Sequence, residues 1–134
     1  MRLLLDTHVL LWTLVDDEKL SAKARKMIDD LNNTIVYSGV SLWEVAIKYD
    51  LHPDILDINA QTLQSFLDDA GFMELPVRQR HIISLESLRM KEGAAKHRDP
   101  FDRMLIAQAK QEGMKLLTAD KKMHSYDEPC IVMV

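Results

Sequence analysis

The sequence predicts an α/β fold, a parallel sheet with helices on both faces. Three observations predict it. Short apolar runs without helical period recur along the chain, stretches with apolar residues three and four apart separate them, and the first run stops abruptly at an aspartate. With 134 residues, 47% of them hydrophobic, the chain has the length and apolar content for one core, so a single domain over residues 1–134 is expected.

Residues 2–5 (RLLL) read as a buried strand ending at Asp6. Helical spacing follows in Leu10, Leu11, Leu14 and Val15. Ser21 caps an amphipathic helix over residues 21–31, which Asn32 and Asn33 stop. Residues 34–38 (TIVYS), β-branched and aromatic, predict the second strand. Ser41 is expected to open a helix through Lys48, and Asn59 to Ala70 another that Gly71 closes. Phe72 to Leu75 predict a short third strand cut by Pro76, and the spacing of Ile82, Ile83, Leu85 and Leu88 predicts a helix from Val77 to Arg89. Asp99 as cap, Pro100 in the first turn and Gly113 at the exit frame a helix ending at Glu112. Residues 115–118 (KLLT) give a fourth strand before Asp120, and 130–134 (CIVMV) a fifth. No repeat, low-complexity segment or linker divides the chain.

The lone Cys130 excludes an internal disulfide framework and reads as a buried small hydrophobe. The apolar stretch from Leu3 to Leu14 is interrupted by Asp6 and His8 and is too short to span a bilayer, so no membrane association and a cytoplasmic location are expected. A formal net charge of −4 argues against coating nucleic acid by general electrostatics. Action on a polyanion would need a local basic patch or bound cations.

Asp6 and Asp120 stand at the C-terminal ends of predicted strands, the edge of an open α/β sheet where ligands bind. Glu44 and Asp102 lie in the first turns of helices starting from that edge. Each has a bland reading: Ser41-x-x-Glu44 matches a capping box, and Asp102 suits the dipole of a helix capped by Asp99. Their joint placement favours another, since four carboxylates drawn to one edge repel each other and a hard divalent cation with oxygen ligands relieves that repulsion. Such a cation reverses the local sign of an acidic protein and activates water.

The segments LLLDTHVLLW at 3–12, SLWEVAIK at 41–48, HRDPFDRMLIAQA at 97–109 and LLTAD at 116–120 resemble the PIN-domain nucleases, and within them the VapC-type toxins of bacterial toxin–antitoxin pairs. The motifs follow the family's order and bracket nearly the whole chain. The resemblance implies an α/β/α sandwich with a parallel five-stranded sheet of order 3-2-1-4-5, with Asp6 and Asp120 on neighbouring strands at the switch point. It makes Asp6, Glu44, Asp102 and Asp120 the catalytic acids and the ligands of Mg²⁺ or Mn²⁺. It also implies RNA as substrate, cut by metal-activated water to a 5′-phosphate and a 3′-hydroxyl, a cognate antitoxin of the Phd/YefM type and a homodimer. Asp99 belongs to the same motif, as ligand, ligand support or cap.

Thr7 and Thr118 flank the acids, where they would orient water or touch phosphate, or simply end their elements. His8 reads as structural, and Trp12 and Trp43 as core or interface anchors; with Leu31 they are expected to form a docking surface. Lys96, Arg98 and Arg103 are the expected RNA phosphate contacts, with Arg89, Lys91, His97, Lys48, Lys121 and Lys122 as further members of a basic set. Two rival classes remain. A non-catalytic PIN-fold module would bind RNA or protein without cutting. A receiver-like phosphoacceptor needs an acidic pair near the first strand end, and Asp16 and Asp17 lie too far beyond it.

Overall fold

Leu3, Leu4 and Leu5 are wholly buried because the strand they form is central and covered on both faces. The computed structural model describes residues 1–54 and 57–134. In it β1 (Arg2–Leu5), β2 (Thr34–Ser38), β3 (Met73–Leu75), β4 (Lys115–Thr118) and β5 (Ile131–Met133) form one parallel five-stranded sheet of order β3-β2-β1-β4-β5. This is the order that the family resemblance implied.

The crossovers carry α1 (Thr7–Val15) and α2 (Ala22–Asp29), then α3 (Gly39–Leu51) and α4 (Ala60–Ala70), then α5 (Gln79–Ser84), a 3-10 turn at Leu85–Ser87 and α6 (Pro100–Glu112). Side chains alternate across β1. Leu3 and Leu5 pack with Val9, Leu10, Leu63 and Leu67 of α1 and α4, whereas Leu4 packs with Leu105 and Ile106 of α6. Three layers result. Burying each such leucine contributes about 1.5–3 kcal/mol.

The helices start and stop at the expected residues where cap and stop signals agree. Ser21 and Asn59 cap α2 and α4 through bonds from Ala24 N and Thr62 N, and Gly71 and Gly113 end α4 and α6 at φ of 69° and 64°. Three expectations are corrected. The helix carrying Glu44 starts at Gly39 and is capped by Ser38, whose Oγ accepts from Val40 N at 3.0 Å, so Ser41 lies inside the first turn. The predicted helix over 77–89 is shorter: α5 begins after Arg78, whose N–H donates to His81 Nδ1 at 2.9 Å, and tightens into the 3-10 turn after Ser84. Cys130 is half-buried and precedes β5. Among the described residues no helix is long and apolar enough to cross a membrane.

The order of strand addition reverses between β1 and β4, from which successive strands are laid outward to opposite edges. A cleft at the C-terminal ends of these two strands is the place where such a sheet binds ligands.

Candidate functional site

The ladder between β1 and β4 fixes the first two acids. Leu5 pairs with Leu117, and Asp6 N donates to Leu117 O at 3.0 Å, so Asp6 sits opposite Thr118. Thr118, wholly buried, donates from Oγ1 to Asp6 Oδ2 at 2.5 Å and accepts from Asp120 N at 3.1 Å. One hydroxyl thus ties together the ends of two neighbouring strands. Burial pushes the Asp6 carboxyl up and the charge of Glu44 adds to that, against smaller opposing contributions from the Thr118 bond and His8.

Glu44 is buried in the second turn of α3. Since Ser38 is the cap, no capping box explains this acid. Lys48 Nζ lies on its Oε2, while its Oε1 is buried without a hydrogen-bond partner. Burial by itself would push the Lys48 ammonium down, but its bond to Glu44 and the charges of Glu44, Asp99 and Asp102 hold it raised.

Asp102 occupies the first turn of α6, also buried, with Oδ2 2.9 Å from His97 Nε2. Its carboxyl is pushed up to about 8, first by burial and then by the negative charges of Asp6, Asp99, Glu44 and Asp120. Acids from four separate segments are therefore close enough for their charges to raise the cost of ionising Asp102. Asp99 takes the cap: its Oδ1 accepts from Phe101 N at 2.9 Å and Asp102 N at 3.0 Å. Asp120 likewise accepts from Lys122 N at 3.0 Å.

The donor set is all carboxylate oxygen, which suits Mg²⁺ or Mn²⁺, and Glu44 Oε1 is a buried acceptor with no donor. On these two grounds the residues fit a hard divalent cation. As the side chains stand, however, no three His, Cys, Asp or Glu groups among the described residues are placed to hold one ion. Lys48 and His97 each take one carboxylate oxygen, on Glu44 and Asp102.

The basic set divides. Lys96, Arg98 and Lys122 line a hollow of about 340 Å³ that Asp99 and His97 also border. Arg103 is engaged elsewhere, which alters its expected role: it donates to Tyr126 Oη and to Leu85 O, both at 3.2 Å. Arg89 lies 3.5 Å from the buried Glu128, a carboxylate that Lys110 also holds at 2.9 Å, and so belongs to a separate charge cluster. Thr7 is bonded to Ser41, Oγ to Oγ at 2.9 Å, and so joins α1 to α3. His8 stacks on Trp12.

Trp12 packs against the cluster of Leu3 and Leu5, whereas Trp43, 58% exposed, meets Phe101 edge-on at 5.1 Å beside the opposite cluster. The expected surface of Trp12, Leu31 and Trp43 is therefore not one face. Sequence reasoning also missed the pairing of His97 with Asp102 and the bond from Tyr126 Oη to His97 O, 3.1 Å, which fixes that loop. No local signal announces either contact.

The family model of the PIN domain matches residues 3–129. No curated protein matches the chain. Among solved structures, VapBC2 from Rickettsia felis, bound to a DNA fragment from its promoter, superposes with a TM-score of 0.64 at 17% identity, over 100% of this chain and 98% of that one. DNA-bound VapBC from Salmonella typhimurium gives 0.64 at 13% identity, over 100% and 97%. FitAcB from Neisseria gonorrhoeae gives 0.58 at 19%, over 91% and 90%.

Proposed function

The chain belongs to the PIN domain family, and on that premise we propose that it is a magnesium- or manganese-dependent endoribonuclease, the toxin of a toxin–antitoxin pair acting in the cytoplasm as one domain. One observation carries the proposal. Burial first, and then the charges of Asp6, Asp99, Glu44 and Asp120 gathered around it, lift Asp102 to about 8, an arrangement that a structural set of helix caps has no reason to hold.

Asp6, Glu44, Asp102 and Asp120 would hold the cation, with Glu44 Oε1 the oxygen left over for it. When bound, the cation supplies a Lewis acid for the phosphoryl oxygen and lowers the pKa of a water. Thr118 fixes the rotamer of Asp6 through its 2.5 Å bond. His97 orients Asp102, and Asp99 holds the first turn of α6 that presents it. Lys96, Arg98 and Lys122 would grip RNA phosphates flanking the cut, which supplies the local positive charge that an acidic protein otherwise lacks.

Structural relatives that are toxin–antitoxin complexes support an antitoxin partner, of Phd/YefM type on the family resemblance. A homodimer is proposed on the face where Trp43, Val77 and Ile82 line an apolar groove and are 58%, 40% and 51% exposed.

The test is cleavage of single-stranded RNA by the pure protein with Mn²⁺. Products ending in 5′-phosphate, stopped by EDTA and reduced by orders of magnitude in Asp6→Asn, are expected. Undiminished cutting by the variant would sink the assignment. A second reading, a PIN-fold module that binds without cutting, draws on the ion pair of Lys48 with Glu44 and the lack of a ready three-ligand group. Metal-independent RNA retardation without products would favour it.

A further inference from the structure

Lys96, His97 and Arg98, which border the hollow proposed for phosphates, also line a second cavity of about 380 Å³, together with Leu88, Met90 and Arg103. We propose that this cavity is a nucleobase pocket that receives the base of a nucleotide next to the scissile phosphate and prefers guanine. The inference rests on the nuclease reading and adds to it a determinant of sequence preference.

The argument begins with position. His97 lines the cavity and also meets Asp102 Oδ2 at 2.9 Å, so an occupant would sit one side chain away from the acids. Size agrees, because small-molecule sites are typically about 300–1,000 Å³. Chemistry then selects the occupant. A phosphate would gain nothing from Leu88 and Met90, whereas the apolar faces of a base would. Apart from His97, whose Nε2 is turned to Asp102 Oδ2, the polar part of the lining consists of Lys96, Arg98 and Arg103, which are donors only. Lys96 and Arg98 have no protein partner among the described residues, and Arg103 is held in a fixed plane by Tyr126 Oη and Leu85 O with further N–H groups to spare.

Donors alone want acceptors. Guanine presents O6 and N7 side by side, the edge that an arginine fork matches, while adenine and cytosine would turn an amino donor toward these cations. This gives Arg103, captured by Tyr126 and so withdrawn from the phosphate path, a use as a base reader.

The test uses wild-type protein with ¹³C-methyl methionine, Met90 being assigned among the eight methionines by Met90→Leu. Titrations with GMP, AMP and ribose 5-phosphate report both affinity and place. GMP should shift the Met90 methyl and bind at least about tenfold more tightly than ribose 5-phosphate, the scale of one base contact, and more tightly than AMP. Met90→Trp, which fills the cavity, should remove the GMP advantage. Equal binding of GMP and ribose 5-phosphate, or an unmoved Met90 methyl, overturns the pocket; if RNA is still cut in a metal-dependent way, the nuclease reading survives that loss. Selective GMP binding at Met90 without any RNA cleavage would uphold the pocket and remove the nuclease.

Discussion

Replacing Asp102 by asparagine removes a charge that the fold resists. The carboxyl is held at about 8 instead of 3.8, so between roughly pH 4 and pH 8 the unfolded chain ionises it while the folded chain does not. Stability from this group is full below pH 4 and is lost as the pH rises to 8. At 1.36 kcal/mol per pH unit the ceiling on that loss is about 6 kcal/mol; relaxation around a buried charge brings it to on the order of 2 kcal/mol. The opposing effect is the first-turn acid on the dipole of α6, worth about 0.3–1 kcal/mol. Repulsion outweighs the dipole, so Asp102→Asn should melt higher than wild type at pH 8, by roughly 4–6 °C for a chain of this length, and match it near pH 4. Magnesium at ~10 times its dissociation constant should stabilise wild type by about 1.4 kcal/mol and leave the variant unmoved. Melting curves at pH 4 and 8 with and without magnesium decide the matter. A variant less stable at pH 8 that still responds to the metal would refute the reasoning and leave Asp102 as a helix acid.

Other outcomes follow from the same geometry. Thr118→Val keeps the shape but strips Asp6 Oδ2 of its donor, so denaturant titration should show a loss of about 1–3 kcal/mol, with slower RNA cleavage. Replacing Lys96 and Arg98 together by alanine should weaken RNA binding and reduce the salt slope by about 1.4, the share of two phosphate contacts on a single strand; an unchanged slope counts against them. Light scattering at ~100 μM, far above the ~1 μM scale of modest association, should show a dimer that Trp43→Glu dissociates, and a monomeric wild type would remove the proposed face.

The parts of this molecule legible in the sequence are those written in neighbouring residues. Burial on both faces leaves RLLL and KLLT almost uniformly apolar, and Asp99, Pro100 and Gly113 mark both ends of α6. Ser38 and Ser41 show where such reading stops. Both are helix-capping types, and Ser41 has a glutamate three residues on, yet Ser38 caps α3; it also donates to Gln108 Oε1 at 2.6 Å, a contact 70 residues away in the chain. The bond of Arg103 to Tyr126 is hidden from the sequence for the same reason, since it joins α6 to a segment beyond β4. The four acids stand out in the sequence by their expected places at one sheet edge, but the orphaned oxygen of Glu44 and the meeting of His97 with Asp102 require the fold.

The most direct test of the central claim is a crystal of the protein grown with Mn²⁺ and measured at a wavelength where manganese scatters anomalously. The account expects a peak bounded by carboxylate oxygens of Asp6, Glu44, Asp102 and Asp120, at roughly 2.1 Å, the distance of a small hard cation, with Lys48 displaced from Glu44. An anomalous map with no peak among these four acids at saturating manganese, and Lys48 still seated on Glu44, would contradict it.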